Sequence, residues 1–156
     1  MDFDRVQAVL AALEVHGVEY AVFGAAALNL HGLARFTEDL DLFVRPTEEN
    51  VVRLRDALHD VFDDPHIDEI TADDLLHDYP AVQYVPPEGV FYLDILTRLG
   101  ELFSYDDLEI QRVHFGEIEV NVVTPTTLYR MKSNTIRPQD HADAVALRRH
   151  FDIEDD

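Results

Sequence analysis

A chain of 156 residues with 47% apolar content has room for one domain with a real core, and the absence of cysteine excludes disulfides and thiolate-ligated zinc. No apolar run reaches the roughly eighteen residues of a membrane span, and the acidic start Met1-Asp2-Phe3-Asp4 does not read as a secretory signal, so the expected location is cytoplasmic. The net charge of −20, from 32 acidic against 12 basic residues with Lys132 the single lysine, works against nucleic-acid binding over most of the surface, although salt adaptation and arginine-rich coding would leave the same composition.

Val6, Val9, Leu10 and Leu13 recur at helical spacing and predict an amphipathic helix over residues 4–16, closed by Gly17. Tyr20 to Phe23 reads as a short buried strand ending at Gly24, and Ala25 to His31 as a helix of small residues stopping at Gly32. A second strand is expected over Leu40 to Val44. Pro46-Thr47 then opens a helix with Glu48 and Glu49 in its first turn and a stripe of Val51, Leu54, Leu58, Val61 and Phe62. The acidic stretch Asp63 to Asp78 holds one short helix around Asp73 to His77. Strands follow over Val82 to Val85 and Phe91 to Leu96, joined by Pro86-Pro87-Glu88-Gly89. Glu109 to Val123 reads as a hairpin turning at Gly116. Thr124-Pro125 starts a helix, and Pro138 starts another that runs to Phe151.

This irregular alternation predicts an α/β (α+β) domain, a mixed β-sheet flanked by helices. It spans residues 1–156: an N-terminal helix (1–17), a catalytic sheet with helices (18–123), C-terminal helices (124–151) and a frayed acidic tail (152–156).

The chemistry concentrates around residues 24–43. Aspartate is disfavoured inside strands, yet Asp39 and Asp41 stand two apart in an otherwise apolar one. Period-two geometry puts both carboxylates on one face, about 7 Å apart at Cα, with Leu40 and Leu42 turned to the core. Two carboxylates so placed repel unless a cation lies between them, and oxygen ligands favour Mg²⁺. Asp94, within Phe91-Tyr92-Leu93-Asp94-Ile95-Leu96, repeats the pattern. Were its strand beside the first, three carboxylates could hold two ions about 4 Å apart for in-line phosphoryl displacement, with the third taking the proton of an attacking hydroxyl. Gly24, between strand and helix, allows close approach of a phosphate to the backbone.

In order along the chain, Val22-Phe23-Gly24-Ala25, Asp39-Leu40-Asp41 and Leu93-Asp94-Ile95 resemble the nucleotidyltransferase superfamily with the DNA polymerase β-like fold. Arg35-x-Thr37-x-Asp39-x-Asp41, with Met131-Lys132 and Arg137-Pro138-Gln139-Asp140-x-x-Asp143 further on, is similar to AbiEii-type toxins and related minimal nucleotidyltransferases of toxin–antitoxin and phage-defence systems. The resemblance covers residues 18–147. It implies an enzyme that moves NMP from an NTP to an acceptor, a tRNA end or a partner protein, releasing pyrophosphate. It also implies catalysis and binding of Mg²⁺ or Mn²⁺, two ions, by Asp39, Asp41 and Asp94, and nucleotide binding by Gly24, Ala25, Arg35, Thr37 and Lys132. Asp140 and Asp143, three apart on the last helix, would position Lys132 or an acceptor, or else face solvent; Arg35 and Thr37 would touch nucleotide or brace the loop into the strand. Ala25 departs from the family's Gly or Ser, keeping the backbone donor but losing a hydroxyl.

Two other functions stay open. Small antibiotic-modifying nucleotidyltransferases share the fold and would use an acidic pocket for a cationic drug. A catalytically weak, antitoxin-like binding module would fit Ala25 and the small size, but has no use for three clustered acids. The eight histidines offer no zinc spacing, and no dinucleotide, Walker or nucleophile-elbow motif is present.

Overall fold

The computed structural model describes residues 3–75, 81–87, 91–99, 103–133, 135 and 137–153. The chain runs α1 (Phe3–Val15), β1 (Tyr20–Phe23), α2 (Gly24–Leu30), β2 (Asp39–Val44), α3 (Glu48–Val61), β3 (Ala81–Tyr84), β4 (Tyr92–Leu96), β5 (Arg98–Leu99), β6 (Phe103–Ser104), β7 (Ile110–Phe115), β8 (Ile118–Val123), α4 (Pro125–Ser133) and α5 (Pro138–Phe151). Six strands form one mixed sheet in the order β3-β4-β2-β1-β8-β7, while β5 and β6 pair separately. Strands β2 and β4 are parallel, as are β1 and β8; the remaining neighbours in the large sheet are antiparallel. Helix α1 packs on α3, α2 lies over β1 and β2, and α4 pairs with α5. The expected mixed sheet flanked by helices is therefore the architecture found.

Local chemistry explains the elements. In α1, Val6, Val9, Leu10 and Leu13 are buried along one stripe. Thr47 caps α3, its hydroxyl accepting from the Asn50 N–H at 3.1 Å. Asn50 itself is 1% exposed, so its amide needs partners inside the protein. It accepts from Glu19 N–H at 2.7 Å and donates to Glu19 O and Arg45 O, each at 2.9 Å, which ties the entry of β1 to the exit of β2. Thr124 caps α4 through the Thr127 N–H, with Pro125 in the first turn, and Pro138 sits at the start of α5.

The expected boundaries shift by a residue at Asp39, Ala81 and Tyr92, and two features differ more. A 3-10 turn, Pro65–Glu69, occupies ground read as loop. Asp64 caps it through His66 N–H at 3.0 Å, with Pro65 in the first turn. Of the helix expected around residues 73–77, helical turns are found over 72–75, and positions 76 and 77 lie outside the described residues. Ile153, placed in a frayed tail, is 9% exposed and belongs to the core. No described helix is long and apolar enough to cross a membrane.

Register is what the fold contributes to function. Leu40, Leu42, Leu93 and Ile95 alternate with the aspartates of β2 and β4 and are fully buried. Each is worth about 1.5–3 kcal/mol of apolar burial, and a one-residue slip would exchange them for carboxylates. That burial holds the register even though it sets half-buried aspartates side by side on the opposite face.

Candidate active site

Asp41 of β2 stands directly beside Asp94 of β4, and Asp39 stands beside Tyr92, so the parallel pairing gathers the three aspartates at one end of the sheet. All three line a cleft of about 680 Å³, together with Gly24, Arg35 and Lys132. Ala25, Thr37 and Asp140 line it too. Sequence reasoning had required Asp94 to lie beside the Asp39–Asp41 strand, and it does.

The carboxylates are crowded. Asp41 is pushed up to about 8, first by burial, then by the charge of Asp94 and a hydrogen bond to it, then by Asp39, with Lys132 pulling the other way. Asp39 is also raised, by burial first and then by Asp94 and Glu38, against the opposing pull of Arg137. Among the described residues, no three acidic or histidine side chains close around a single point as they stand. The contact within the cluster is between Asp41 and Asp94, with Asp39 at its side. The donor set is all oxygen and its carboxylates repel one another, a set that fits a hard divalent cation rather than zinc or copper.

Gly24 is required here for a reason beyond backbone freedom. Its φ is +66°, and a Cβ built on it would lie 2.0 Å from Asp41 Oδ2. The glycine leaves room for the carboxylate that β2 brings opposite Phe23. No side chain caps α2 at Phe23.

Behind the cleft lies a buried ionic network. Lys132 Nζ lies 3.3 Å from Asp140 Oδ1 and 3.0 Å from Asp143 Oδ2, and all three residues are buried. Burial pushes Asp140 up, but the Thr135 hydroxyl, Lys132 and Arg137 outweigh it and hold the carboxyl below its ordinary value. Asp143 also accepts from Gln139 at 3.0 Å and from Arg35 Nε at 3.2 Å. The solvent-facing alternative for Asp140 and Asp143 is thereby set aside: they are partners of Lys132.

Arg35 and Thr37 both act as braces. Arg35 reaches Asp143 on α5 and donates from Nη1 to Phe36 O at 2.6 Å, while its backbone N–H donates to the Asn29 side-chain Oδ1 at 2.9 Å. The Thr37 hydroxyl accepts from Asp39 N–H at 3.1 Å and donates to Asp39 O at 3.2 Å. Both still face the cleft. Of the cations lining it, Arg137 is the most open, its side chain 72% exposed against 27% for Arg35 and 8% for Lys132. Sequence reasoning had not placed Arg137 at the site; the signal was its position at the N-terminus of the helix that carries Asp140.

The family model described as "Nucleotidyl transferase AbiEii toxin, Type IV TA system" matches residues 8–152. The chain belongs to the AbiEii nucleotidyltransferase family. As a member of the AbiEii family it is a nucleotidyltransferase, an enzyme. Solved structures share the fold at low identity. ANT(2″)-Ia in complex with adenylyl-2″-tobramycin superposes with a TM-score of 0.56 at 12% identity, over 93% of this chain and 86% of that one. A protein from Thermotoga maritima described as a nucleotidyltransferase gives 0.52 at 12% identity, over 94% and 90%. An antigenic nucleotidyltransferase-like protein from Paracoccidioides brasiliensis gives 0.50 at 17% identity, over 94% and 75%. No curated protein matches the AbiEii-family chain.

Proposed function

We propose that this enzyme transfers NMP from a metal-bound NTP to the hydroxyl of a macromolecular acceptor, an RNA end or a partner protein, within a toxin–antitoxin setting. The observation that carries the reading is the pairing of Asp41 with Asp94 across parallel strands, Asp39 beside them, in a cleft that also holds Gly24 and cations. The acceptor oxygen attacks the α-phosphorus and forms the new P–O bond as the bond to the bridging oxygen breaks. Pyrophosphate leaves, and Asp94 takes the hydroxyl proton. Asp39, Asp41 and Asp94 would hold two Mg²⁺ or Mn²⁺ ions, whose charge would offset that developing on the phosphate oxygens. Arg137, the open cation, meets the triphosphate, while Lys132 acts through its field, which reaches Asp41. Arg35 and Thr37 keep the loop into β2 in place.

A second reading concerns the acceptor alone. The net charge of −20 and the likeness to ANT(2″)-Ia support a cationic small molecule. One experiment separates these acceptors. The protein is incubated with each α-³²P-labelled NTP, Mg²⁺, total tRNA, a host lysate and, separately, aminoglycosides. Label on RNA or on a protein band supports the leading reading, and label on the drug supports the second. Label on nothing, with tight binding of a neighbouring gene's product, replaces both with a docking module.

A further inference from the structure

Strand β3 is an edge of the sheet, and Gln83 stands on it directly opposite Asp94 of β4. Its Nε2 donates to Asp94 Oδ1 at 3.1 Å, and the side chain lines the cleft that holds the three aspartates. Tyr84, the next residue, is buried, so the alternation of β3 gives the solvent-accessible position to the glutamine.

The last torsion of an aspartate is broad, so an unheld carboxylate samples many planes. Once one oxygen is held, the plane of the group is set, and with it the direction the second oxygen presents. A neutral amide suits this task better than a lysine or arginine would. It orients the carboxylate without cancelling the charge needed to attract a cation or accept a proton. Resting on the nucleotidyl-transfer reading of this site, we propose that Gln83 is a positioning residue that holds the Asp94 carboxylate in the plane from which it meets Asp41 and the reacting hydroxyl.

The test compares the full chain with Gln83→Met, which keeps length and removes the donor, and with Gln83→His, which restores an N–H donor. Three quantities are read: Mn²⁺ affinity by calorimetry, kcat and KM with the best NTP, and the unfolding midpoint. Gln83→Met should weaken Mn²⁺ binding and lower kcat by about 10- to 100-fold, the usual effect of losing a partner behind a metal ligand. KM for the nucleotide and the midpoint should stay at their wild-type values, and Gln83→His should recover both binding and kcat. Wild-type turnover and Mn²⁺ affinity in Gln83→Met overturn the inference and leave the functional reading standing. A fall in kcat that tracks a lowered midpoint and is not recovered by histidine also overturns it, since that is a sheet-stabilising role. Wild-type protein that neither binds Mn²⁺ nor transfers from any NTP removes the functional reading and this inference together.

Discussion

A Cβ on Gly24 would come within 2.0 Å of Asp41 Oδ2, so the glycine that opens α2 and the aspartate of β2 occupy complementary space. Alanine at position 24 must therefore displace the carboxylate and also accept a φ of +66°. The backbone conformation alone costs about 1–2 kcal/mol for an L residue. Gly24→Ala should destabilise the protein in urea unfolding by more than that and abolish transfer. In a double-mutant cycle, Gly24→Ala should cost less in an Asp41→Ala background than in wild type, because the smaller side chain removes the clash. Strict additivity would mean that the two residues do not compete for the same space.

Lys132 is held between Asp140 and Asp143 with its side chain 8% exposed, so removing it strands two buried carboxylates. Lys132→Met should cost about 3–5 kcal/mol of stability, as breaking a buried pair does. Lys132→Glu, an obvious test of phosphate contact, should be worse, and its loss of activity says nothing about nucleotide. Arg137→Ala is the cleaner probe: with a side chain 72% exposed, it should raise KM for the NTP while lowering the unfolding midpoint far less than Lys132→Met does. A Lys132→Met protein as stable as wild type would show that the network contributes no net stability.

Asp64 carries the acid sensitivity of the α3–β3 segment. The Tyr84 hydroxyl donates to Asp64 Oδ2 at 2.8 Å, and this bond, followed by the His66 N–H, holds the carboxyl below its ordinary 3.8. A depressed folded value means that the unfolded chain binds more protons, so the stabilisation is present above the ordinary value and is lost as pH falls through the folded one. Tyr84→Phe should therefore destabilise most at neutral pH, with the deficit shrinking as the pH drops below about 4. Urea unfolding across pH 3–7 reads this directly. A deficit constant across that range would assign the effect to packing of the ring rather than to the charged hydrogen bond.

The aspartates were legible in the sequence because a strand tolerates few charges: Asp39 and Asp41 contradict the apolar run around them. Their meeting with Asp94 was legible only through the family resemblance, since parallel pairing of β2 with β4 joins segments some fifty positions apart through packing that no local pattern encodes. Lys132, Asp140 and Asp143 were legible as neighbours, being within three turns of helix and a short connection, but not as a buried set. Arg35 was ambiguous for a related reason, its partner Asp143 lying 108 residues away. Gln83 carried no signal at all, because a polar residue on an edge strand is ordinary until its register is known. The 3-10 turn at Pro65 was readable and missed: an aspartate before a proline is a helix start, and the surrounding acidity masked it.

The central claim is that the crowded aspartates exist for transfer and cost the metal-free protein stability. It is tested by following Asp41→Asn in two assays on the same preparation. The amide keeps the shape, relieves the repulsion against Asp94 and Asp39, and can donate to Asp94. In EDTA the variant should melt higher than wild type, by at least about 2 °C for each kcal/mol regained in a domain of this size. In Mg²⁺ wild type should gain stability and the variant should gain less. Transfer of label from an α-³²P NTP should be present in wild type and lost in the variant. A variant that transfers label as well as wild type, or that melts lower in EDTA and responds to Mg²⁺ just as wild type does, would contradict the account.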